Sequence, residues 1–489
     1  MIDKLFGRKR KEETVEVVKN ENSATRIAVG LDIGTTKVVA FAGKRNANGK
    51  IDILGYGKQQ SVGVQRGLVI NIDQTSNAIR KVVKLTEDNA NIEIDTVMVG
   101  IAGQHIINHR MMGEIKRDNT DNVISQNDIK RLIEDMFKTP VDPGKQVLDV
   151  IPQEYIVDNY PKMLNPIGVL GRRLSSEFNV ITGDAQHIRN IGRCIKNCNL
   201  TMDGLVLEPI ASAEVVLDKD EKETGVALVD IGGGTTDVVV FIDGVMRHTA
   251  VIPIASDVIT DDIKNVFKGI VKEQAELLKI KHGSCIPDES TQNQVISIPG
   301  IHGRPATEIS EYELAQVIQA RVGEIIDRIK EELKNANCFD KLGCGIVFTG
   351  GGSKLKGLKE MSEMRTGLLV RIGNPEEKIN IHDKEYSDPI FSTGLGLMIL
   401  GIERDEELNG RPDLSKEYIN STQNQEESDI NDEDIDDDDF DDSQTRQKAN
   451  DRNSNFAKYR PWGIIQSALA ALIESDDDDD DEDDDFDRV

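Results

Sequence analysis

Two stretches of the chain share one pattern of residues: Ile27-Ala-Val-Gly-Leu-Asp32-Ile-Gly34-Thr35-Thr36-Lys37, and Val226-Ala-Leu-Val-Asp230-Ile-Gly232-Gly233-Gly234-Thr235-Thr236-Asp237. Each is an apolar run that ends in an Asp, followed by a turn of Gly and Thr and by a second β-branched run. Glycines allow backbone N–H groups to close around a phosphate, threonine hydroxyls add donors, and an Asp can hold a hydrated Mg²⁺. A single Gly-Thr hairpin is common, but two with one pattern predict a duplicated nucleotide clamp.

A third glycine-rich stretch reads as a strand, a triple glycine and the start of a helix: Ile346-Val-Phe-Thr349-Gly350-Gly351-Gly352-Ser353-Lys354-Leu-Lys-Gly357-Leu. Together and in this order, the three stretches resemble the actin, DnaK-type chaperone and sugar-kinase ATPase superfamily. The resemblance implies an α/β, actin-like two-domain ATPase fold with duplicated βαβ halves. It also implies that the first two loops grip the phosphates of ATP from opposite domains, while the third lies against the adenosine.

The acidic charge of the chain is concentrated in its last part. The net charge is −28, but residues 401–489 carry 31 acidic and 9 basic side chains, which leaves residues 1–400 at −6. No basic stripe with interleaved aromatic residues is visible, so we expect no nucleic-acid binding. There is no run of eighteen apolar residues and no signal peptide, and the cysteines lack Cys-x-x-Cys spacing. We therefore expect a cytosolic protein with reduced thiols, in which Cys194 and Cys198 are an inert pair.

Changes in composition and in the spacing of apolar residues divide the chain into predicted parts. The segment 94–180 differs from its surroundings, with a strand at 96–102, an amphipathic helix at 127–138 and a strand at 147–157. We predict a flexible arm (1–25), a first half (26–93, 181–208 and 391–403), an inserted α+β subdomain (94–180), a second half (209–257 and 345–390), a small subdomain of that half (258–344), a disordered acidic linker (404–455), an amphipathic helix (456–474) and an acidic terminus (475–489).

The inserted subdomain narrows the resemblance. It carries Val150-Ile-Pro-Gln-Glu-Tyr155 and Asn165-Pro-Ile-Gly168, followed by Gly171-Arg-Arg-Leu, and is similar to the extra subdomain of FtsA, the actin-like bacterial cell-division family. Further matches are Arg247 to Pro253, Ile280-Lys-His-Gly283, Gly303-Arg-Pro305 and Ser392-Thr-Gly-Leu-Gly-Leu397. The resemblance runs from about residue 26 to residue 402. Sugar kinases and chaperones share the loops but lack this insertion.

The resemblance assigns roles to the loop residues. Mg²⁺ would be held through water by Asp32 and Asp230. Lys37 would meet phosphate oxygens as a point charge, although a solvated turn lysine is the alternative. The residues predicted to contact the phosphates are Gly34, Thr35, Thr36, Gly232, Gly233, Gly234 and Thr235. The residues predicted to contact the ribose and adenine are Gly350, Gly351, Gly352 and Ser353.

Two further assignments have strong structural alternatives. Glu276 and Lys279 are three residues apart on a predicted helix at 271–281. A Glu-x-x-Lys pair with this spacing contacts the adenosine in the chaperone ATPases. An ordinary surface ion pair on a helix has the same spacing and is the alternative. Glu208, in Glu-Pro-Ile-Ala-Ser-Ala213, resembles the glutamate that positions the attacking water in DnaK-type ATPases. A glutamate at a helix start is the alternative, so the sequence leaves ATP hydrolysis open.

The apolar island in the acidic tail is a second candidate site. As a helix, it would place its large apolar residues within a stripe about 100° wide: Trp462, Ile465, Leu469, Leu472 and Ile473. FtsA proteins usually end in a short amphipathic helix that lies in the membrane interface. The Asp run that begins at Asp476 opposes this reading, because anionic lipid repels it. Docking on a partner protein and folding back on the body are the alternatives.

The resemblance implies an ATP-binding protein that polymerises and tethers the tubulin-like FtsZ to the cytoplasmic membrane at the division septum, where it recruits later division proteins. The small subdomain at 258–344 would face FtsZ, and the insertion at 94–180 would contact the neighbouring protomer. The alternatives are a soluble actin-like scaffold whose tail binds a protein, and a small-molecule kinase. No acceptor-pocket base is identifiable for a kinase. A relative of the pilus-assembly ATPases fits the loops but not the insertion.

Overall fold

The structure is a computed structural model that describes residues 26–117, 122–300, 305–375, 379–380 and 384–409. The predicted arm at 1–25 and the predicted helix and acidic terminus at 456–489 lie outside the described residues, as does the predicted linker from residue 410 onward. Among the described helices, none is both long and apolar enough to cross a lipid bilayer.

A six-stranded sheet organises the first half. Its strands, in spatial order, are β10 (Thr201–Leu207), β6 (Thr96–Ile101), β1 (Ala28–Ile33), β2 (Lys37–Arg45), β3 (Ile51–Gln60) and β18 (Ile379–Asn380). The first three strands along the chain form an antiparallel meander, whereas β6 and β10 run parallel to their neighbours. The half therefore begins with three strands of this sheet and a small hairpin before its first helix, where the sequence pattern predicted an alternation of strands and helices.

Helices cover this sheet and are held on it by buried apolar residues. They are α1 (Ile72–Ala90), α3 (Ala185–Lys196), α4 (Glu208–Val216) and α10 (Ser392–Asn409). The short α5 (Lys219–Thr224) follows α4 and contacts the second sheet. In α1, Ile79, Val82 and Val83 are buried, and the side chain of Asn71 caps the first turn. A small hairpin, β4 (Val64–Gln65) and β5 (Leu68–Val69), precedes α1.

A five-stranded sheet organises the second half. Its spatial order is β13 (Val245–Ile252), β12 (Thr236–Ile242), β11 (Val226–Ile231), β16 (Ile346–Thr349) and β17 (Val370–Ile372). The small subdomain adds α6 (Ser256–Val266), α7 (Lys272–His282), a hairpin of β14 (Val295–Ile298) and β15 (Thr307–Ser310), and α8 (Glu311–Asn335), and α9 (Leu358–Thr366) packs against α8. One continuous apolar core joins the sheet to these helices.

The inserted subdomain is a three-stranded antiparallel sheet with one helix on its face. The strand order is β7 (Ile107–Lys116), β9 (Arg173–Asp184) and β8 (Lys145–Val157), and the helix is α2 (Gln126–Phe137). Ser125 and Asp128 form a capping box that starts α2 and contributes about 1 kcal/mol. Phe178, Leu132 and Ile133 are fully buried in a core that belongs to this subdomain alone.

Three predicted boundaries are wrong. Residues 96–101 were assigned to the insertion, but they form β6, which pairs with β1 and β10 inside the first sheet. Residues 379–380 were assigned to the second half, but they form β18, which pairs with β3. The linker was predicted to begin at residue 404, but α10 continues to Asn409 and Arg404 is only 1% exposed. Pairing with strands remote in the sequence decides the first two cases, and burial decides the third.

Candidate functional site: a cavity between two phosphate loops

The first loop connects β1 to β2 at the end of a buried hairpin. Ile33 pairs with Val38, so Gly34, Thr35 and Thr36 make the turn. Asp32 is 3% exposed, and its Oδ2 lies 2.9 Å from Nζ of Lys37. Burial alone would lower the pKa of Lys37, but the carboxylates of Asp32, Asp230 and Glu208 raise it above its ordinary value. Lys37 is therefore a charged lysine inside the site and not a solvated turn residue.

The second loop repeats this geometry between β11 and β12. Ile231 pairs with Thr236, and the N–H of Gly232 donates to the carbonyl of Thr235 over 2.9 Å, which closes the turn. Asp230 stands where Asp32 stands in the first loop, at the penultimate residue of the strand. Its Oδ2 accepts from the hydroxyls of Ser212 at 2.8 Å and Thr393 at 3.3 Å. The two loops are thus duplicated in structure as well as in sequence.

The two loops touch each other because the second carries no side chains at its tip. A Cβ atom at Gly233 would overlap Cγ2 of Thr36, and one at Gly234 would lie 2.7 Å from Oγ1 of Thr35. The N–H of Gly67, in the turn between β4 and β5, donates to the same Thr35 hydroxyl over 3.1 Å. Only glycine permits this approach of one loop to the other.

The third loop follows β16 and completes the cavity. Gly350 has a φ of 80°, a left-handed conformation that favours glycine. Gly350, Gly351 and Gly352 line the cavity. Ser353 does not line it, because its hydroxyl donates to the carbonyl of Gly350 over 2.7 Å and its side chain is buried in the turn. The predicted contact of Ser353 with ribose or adenine therefore lacks support from its position.

The three loops enclose a cavity of about 1400 Å³ between the two halves. Apart from Ser353, every residue of the body that the sequence singled out lines it: Asp32, Gly34, Thr35, Thr36, Lys37, Glu208, Asp230, Gly232, Gly233, Gly234, Thr235, Glu276, Lys279, Gly350, Gly351 and Gly352. The predicted membrane residues, Trp462, Ile465, Leu469, Leu472 and Ile473, lie outside the described residues.

Four carboxylates, those of Asp32, Glu208, Asp230 and Asp237, crowd the end of this cavity where the first two loops meet. Burial, followed by repulsion from Asp32 and Asp237, raises the pKa of Glu208 well above its usual range. Burial also raises the pKa of Asp230, which the Ser212 hydrogen bond partly offsets, and burial together with Asp230 raises the pKa of Asp237 to about 8. Such a cluster is unfavourable without cations, so it suits a ligand that brings Mg²⁺ with it. No set of three or more His, Cys, Asp or Glu side chains in the described part of the chain is placed to hold a metal ion.

Glu276 and Lys279 form a hydrogen-bonded pair on α7 in which the lysine is buried and the glutamate is partly exposed. Lys279 is 6% exposed, and its Nζ donates to the carbonyl of Ser256 at 3.0 Å, to Oγ1 of Thr260 at 2.8 Å and to Glu276 at 2.7 Å. The Thr260 hydroxyl also donates to Glu276. This arrangement differs from a surface ion pair, since the lysine ties α7 to α6 while Glu276 remains at the cavity wall.

Sequence reasoning assigned no role to several residues that the structure places in the site. Asp237 follows the second loop, and the Thr235 hydroxyl donates to its Oδ2 over 3.0 Å. Ser212 and Thr393 hold Asp230 from two other helices. Lys58 lies on the cavity wall, 5.3 Å above the ring of Phe391. All but Lys58 stood inside quoted motifs, but the hydrogen bonds of Ser212 and Thr393 to Asp230 join segments far apart in the sequence.

Comparisons with known proteins agree with this architecture. The family model "Cell division protein FtsA" matches residues 227–396, and the model "SHS2 domain inserted in FTSA" matches residues 103–182. The second range covers the inserted subdomain and excludes β6. Among solved structures, the type IV pilus biogenesis complex of PilM and PilN covers 77% of this chain and 98% of its own, with a TM-score of 0.56 and 15% identity, which supports the fold alone. The predicted actin-like fold is confirmed.

Curated relatives extend the match over most of the chain. The cell division protein FtsA of Pseudomonas aeruginosa is 36% identical over 382 residues, covering 78% of this chain and 91% of the relative. FtsA of Neisseria meningitidis is 39% identical, covering 75% and 88%, and FtsA of Escherichia coli K12 is 32% identical, covering 80% and 93%. With two family models and relatives at this level of identity, the chain belongs to the FtsA family of cell division proteins.

Proposed function

We propose that the protein binds ATP with Mg²⁺ in the cavity between its halves, polymerises, and tethers FtsZ to the cytoplasmic face of the membrane at the division septum. One observation carries the nucleotide site: two duplicated hairpin loops and a triple-glycine loop converge on one cavity. The glycine cradle leaves room for phosphate oxygens, and Lys37 supplies positive charge. Asp32 and Asp230 would hold the cation through water, and this ligand would draw the two halves together.

The tether rests on the sequence of the tail. The apolar stripe from Trp462 to Ile473 follows a polar, acidic stretch long enough to reach away from the body. A helix of this kind binds at the membrane interface through its apolar face. Family membership supports the same role, with FtsZ, further copies of the chain and later division proteins as partners. Nucleotide would favour assembly by stabilising the closed arrangement of the halves.

Liposome flotation with ATP-Mg²⁺ and purified FtsZ tests this proposal. The full chain is compared with one stopped after Asn455 and with the variant Trp462→Gln/Ile465→Gln/Leu469→Gln, which keeps charge and length. Ser467→Gln, on the opposite side of the helix, is the matched control. We expect both proteins to float with the full chain and with the control, and neither to float with the other two variants. A full chain that stays at the bottom would make the soluble scaffold the better explanation.

A further inference from the structure

The inserted subdomain covers the edge strand of the second sheet. β13 is that edge strand, and a β-bulge interrupts it: Val240 pairs with His248 and Phe241 with Met246, which leaves Arg247 as the extra residue. A bulge turns backbone groups out of the ladder. Strands β7 and β8 of the insertion pack against β13.

Two buried amide side chains of the insertion hold this bulge. Nε2 of Gln153 donates to the carbonyl of Met246 over 3.0 Å. Nδ2 of Asn179 donates to the carbonyl of Arg247 over 3.0 Å and to that of Met246 over 3.3 Å. Asn179 is fully buried and Gln153 is 7% exposed. Buried amides are costly without partners, so these bonds make the contact specific to this position on β13.

Strand β8, which carries Gln153, has a β-bulge of its own where it meets β13. Pro152 pairs with Phe178 and Tyr155 with Ser176, so the Gln153–Glu154 segment faces a single residue of β9. The bulge directs Gln153 toward β13, and the carboxylate of Glu154 lies 3.8 Å from the guanidinium of Arg247. Bulges aim individual side chains. The bulges of β8 and β13 face each other across the contact between the insertion and the second half, which indicates a specific docking site.

A turn of the first half connects the base of the insertion with the second phosphate loop. The turn Arg66–Gly67 lies against the start of the insertion, since a Cβ at Gly67 would be 3.1 Å from the carbonyl carbon of Ala102. The same turn lies against the second phosphate loop, since a Cβ at Gly234 would be 2.8 Å from Cα of Arg66. The insertion belongs to the first half by its chain connections. It contacts the second half directly at the Arg247 bulge, while beside the second phosphate loop the turn Arg66–Gly67 of the first half lies between them.

On its other side, β13 reaches the small subdomain. Nε2 of His248 lies 2.8 Å from Oε1 of Glu332 on α8, and this hydrogen bond holds the pKa of Glu332 below its usual range. Strand β13 is thus hydrogen-bonded to the insertion through Met246 and Arg247, and to α8 through the next residue, His248.

We propose that Gln153 and Asn179 form a latch on the Arg247 bulge, which holds the insertion on the second half while the two phosphate loops are together and releases it when the halves separate. Occupancy of the cavity thereby sets the orientation of the insertion. This inference rests on the proposed nucleotide site. Because coupling between sites is reciprocal, a latch that favours the closed halves also strengthens nucleotide binding.

Hydrogen exchange with and without ATP-Mg²⁺ tests the latch in the full chain. We expect nucleotide to slow amide exchange in the phosphate loops, in β13 and in the insertion strands β8 and β9. In the variant Gln153→Ala/Asn179→Ala, the loops should still be protected while the insertion is not. The dissociation constant for ATP should rise by up to about tenfold, the equivalent of about 1.4 kcal/mol. Gln153→Ala alone, at the more exposed of the two sites, should show the same effect more weakly and guards against misfolding of the double variant.

Ser175→Ala is the matched control. Ser175 is a buried polar residue of β9, but its hydroxyl donates to the carbonyl of Ile156 over 3.4 Å, inside the insertion and outside the Gln153–Glu154 bulge. This variant should behave as the unaltered chain. Protection of the insertion that persists in both latch variants would overturn the latch while leaving nucleotide binding intact. If ATP protects no loop in the unaltered chain, the proposed nucleotide site itself is wrong, and the latch with it.

Discussion

Gly233 in the second phosphate loop packs against Thr36 in the first so closely that no Cβ atom fits between them. The variant Gly233→Ala should therefore wedge the loops apart. A Cβ there would overlap Cγ2 of Thr36 and lie 3.2 Å from Oδ1 of Asp257. We expect ATP affinity, measured by titration calorimetry, to fall by at least about tenfold, because misplaced phosphate donors lose their hydrogen bonds.

Two comparisons separate this wedge from a general loss of flexibility. Gly351→Ala changes a cavity-lining glycine whose added Cβ would meet only Ile390 at 3.6 Å, an ordinary contact, so its ATP affinity should stay within about twofold of the original. Thr36→Ser removes the methyl group that Gly233→Ala would strike, and the double variant should regain part of the affinity. Equal losses in Gly351→Ala and Gly233→Ala would contradict the explanation.

The Lys37–Asp32 pair should separate stability from ligand affinity. In Lys37→Met, the buried carboxylate of Asp32 loses its cation, and the free energy of unfolding should fall by about 1–3 kcal/mol. Asp32→Asn added to Lys37→Met should restore part of the melting temperature, because position 32 no longer carries an unpaired charge, while Asp230 and Glu208 still lack the lysine. It should not restore ATP affinity, because the positive charge at the phosphates is still missing.

Lys58→Met serves as the control for this pair. Lys58 also lines the cavity, but it is exposed and lies over the ring of Phe391. Its replacement should leave the melting temperature within about 1 °C of the original, since exposed substitutions have small effects. Thermal melts of the four proteins without nucleotide give the stability comparison. A double variant no more stable than Lys37→Met would show that the pair does not govern stability.

Local sequence was enough to predict the parts of the site that are continuous along the chain. The loops after β1 and β11 could be predicted because an apolar strand, a carboxylate and glycines follow one another without interruption. Helix α2 and strand β8 of the insertion were predicted within two residues, since apolar spacing is a local signal. The resemblance of the three glycine-rich loops, in their order, to a known superfamily implied the actin-like fold.

What could not be predicted depends on partners remote in the sequence. Strand β6 looks like the start of the insertion, and only its pairing with β1 and β10 places it in the first sheet. Asp230 receives hydrogen bonds from Ser212 and Thr393, which lie on α4 and α10. No periodic pattern in the sequence indicates that Asn179 contacts β13. Such contacts appear only when the tertiary structure brings the elements together.

Glu208 is the residue whose replacement should distinguish hydrolysis from binding. It lines the cavity at the first turn of α4, where burial and the neighbouring carboxylates of Asp32 and Asp237 raise its pKa well above the ordinary value. Glu208→Gln has the same shape, so the melting temperature without nucleotide should be nearly unchanged. If Glu208 orients the attacking water, ATP turnover should fall at least about tenfold while ATP affinity stays within about threefold. Turnover equal to that of the original chain would leave Glu208 a helix-start residue.

Asp237 should make the stability of the protein depend on pH. Its pKa is about 8 in the folded chain, because burial and the charge of Asp230 oppose ionisation, against an ordinary value of 3.8. Between these values the folded protein holds a proton that the unfolded chain releases. The free energy of unfolding from this group is therefore greatest below about pH 4 and decreases as pH rises to about 8. Asp237→Asn keeps an acceptor for the Thr235 hydroxyl and has no proton to lose.

Melting temperatures measured from pH 5 to pH 9 without nucleotide or Mg²⁺ check this. We expect Asp237→Asn to gain stability relative to the original chain as pH rises, with the largest difference above pH 8. Asp158→Asn is the contrasting control. Backbone N–H groups of Arg172 and Arg173 donate to the exposed carboxylate of Asp158 and lower its pKa, so its contribution is present above pH 4 and is lost only in acid. Its effect should thus be constant over this range. Parallel curves for Asp237→Asn and the original chain would mean that Asp237 is already ionised at pH 5, and that the surrounding carboxylates repel it less than their burial implies.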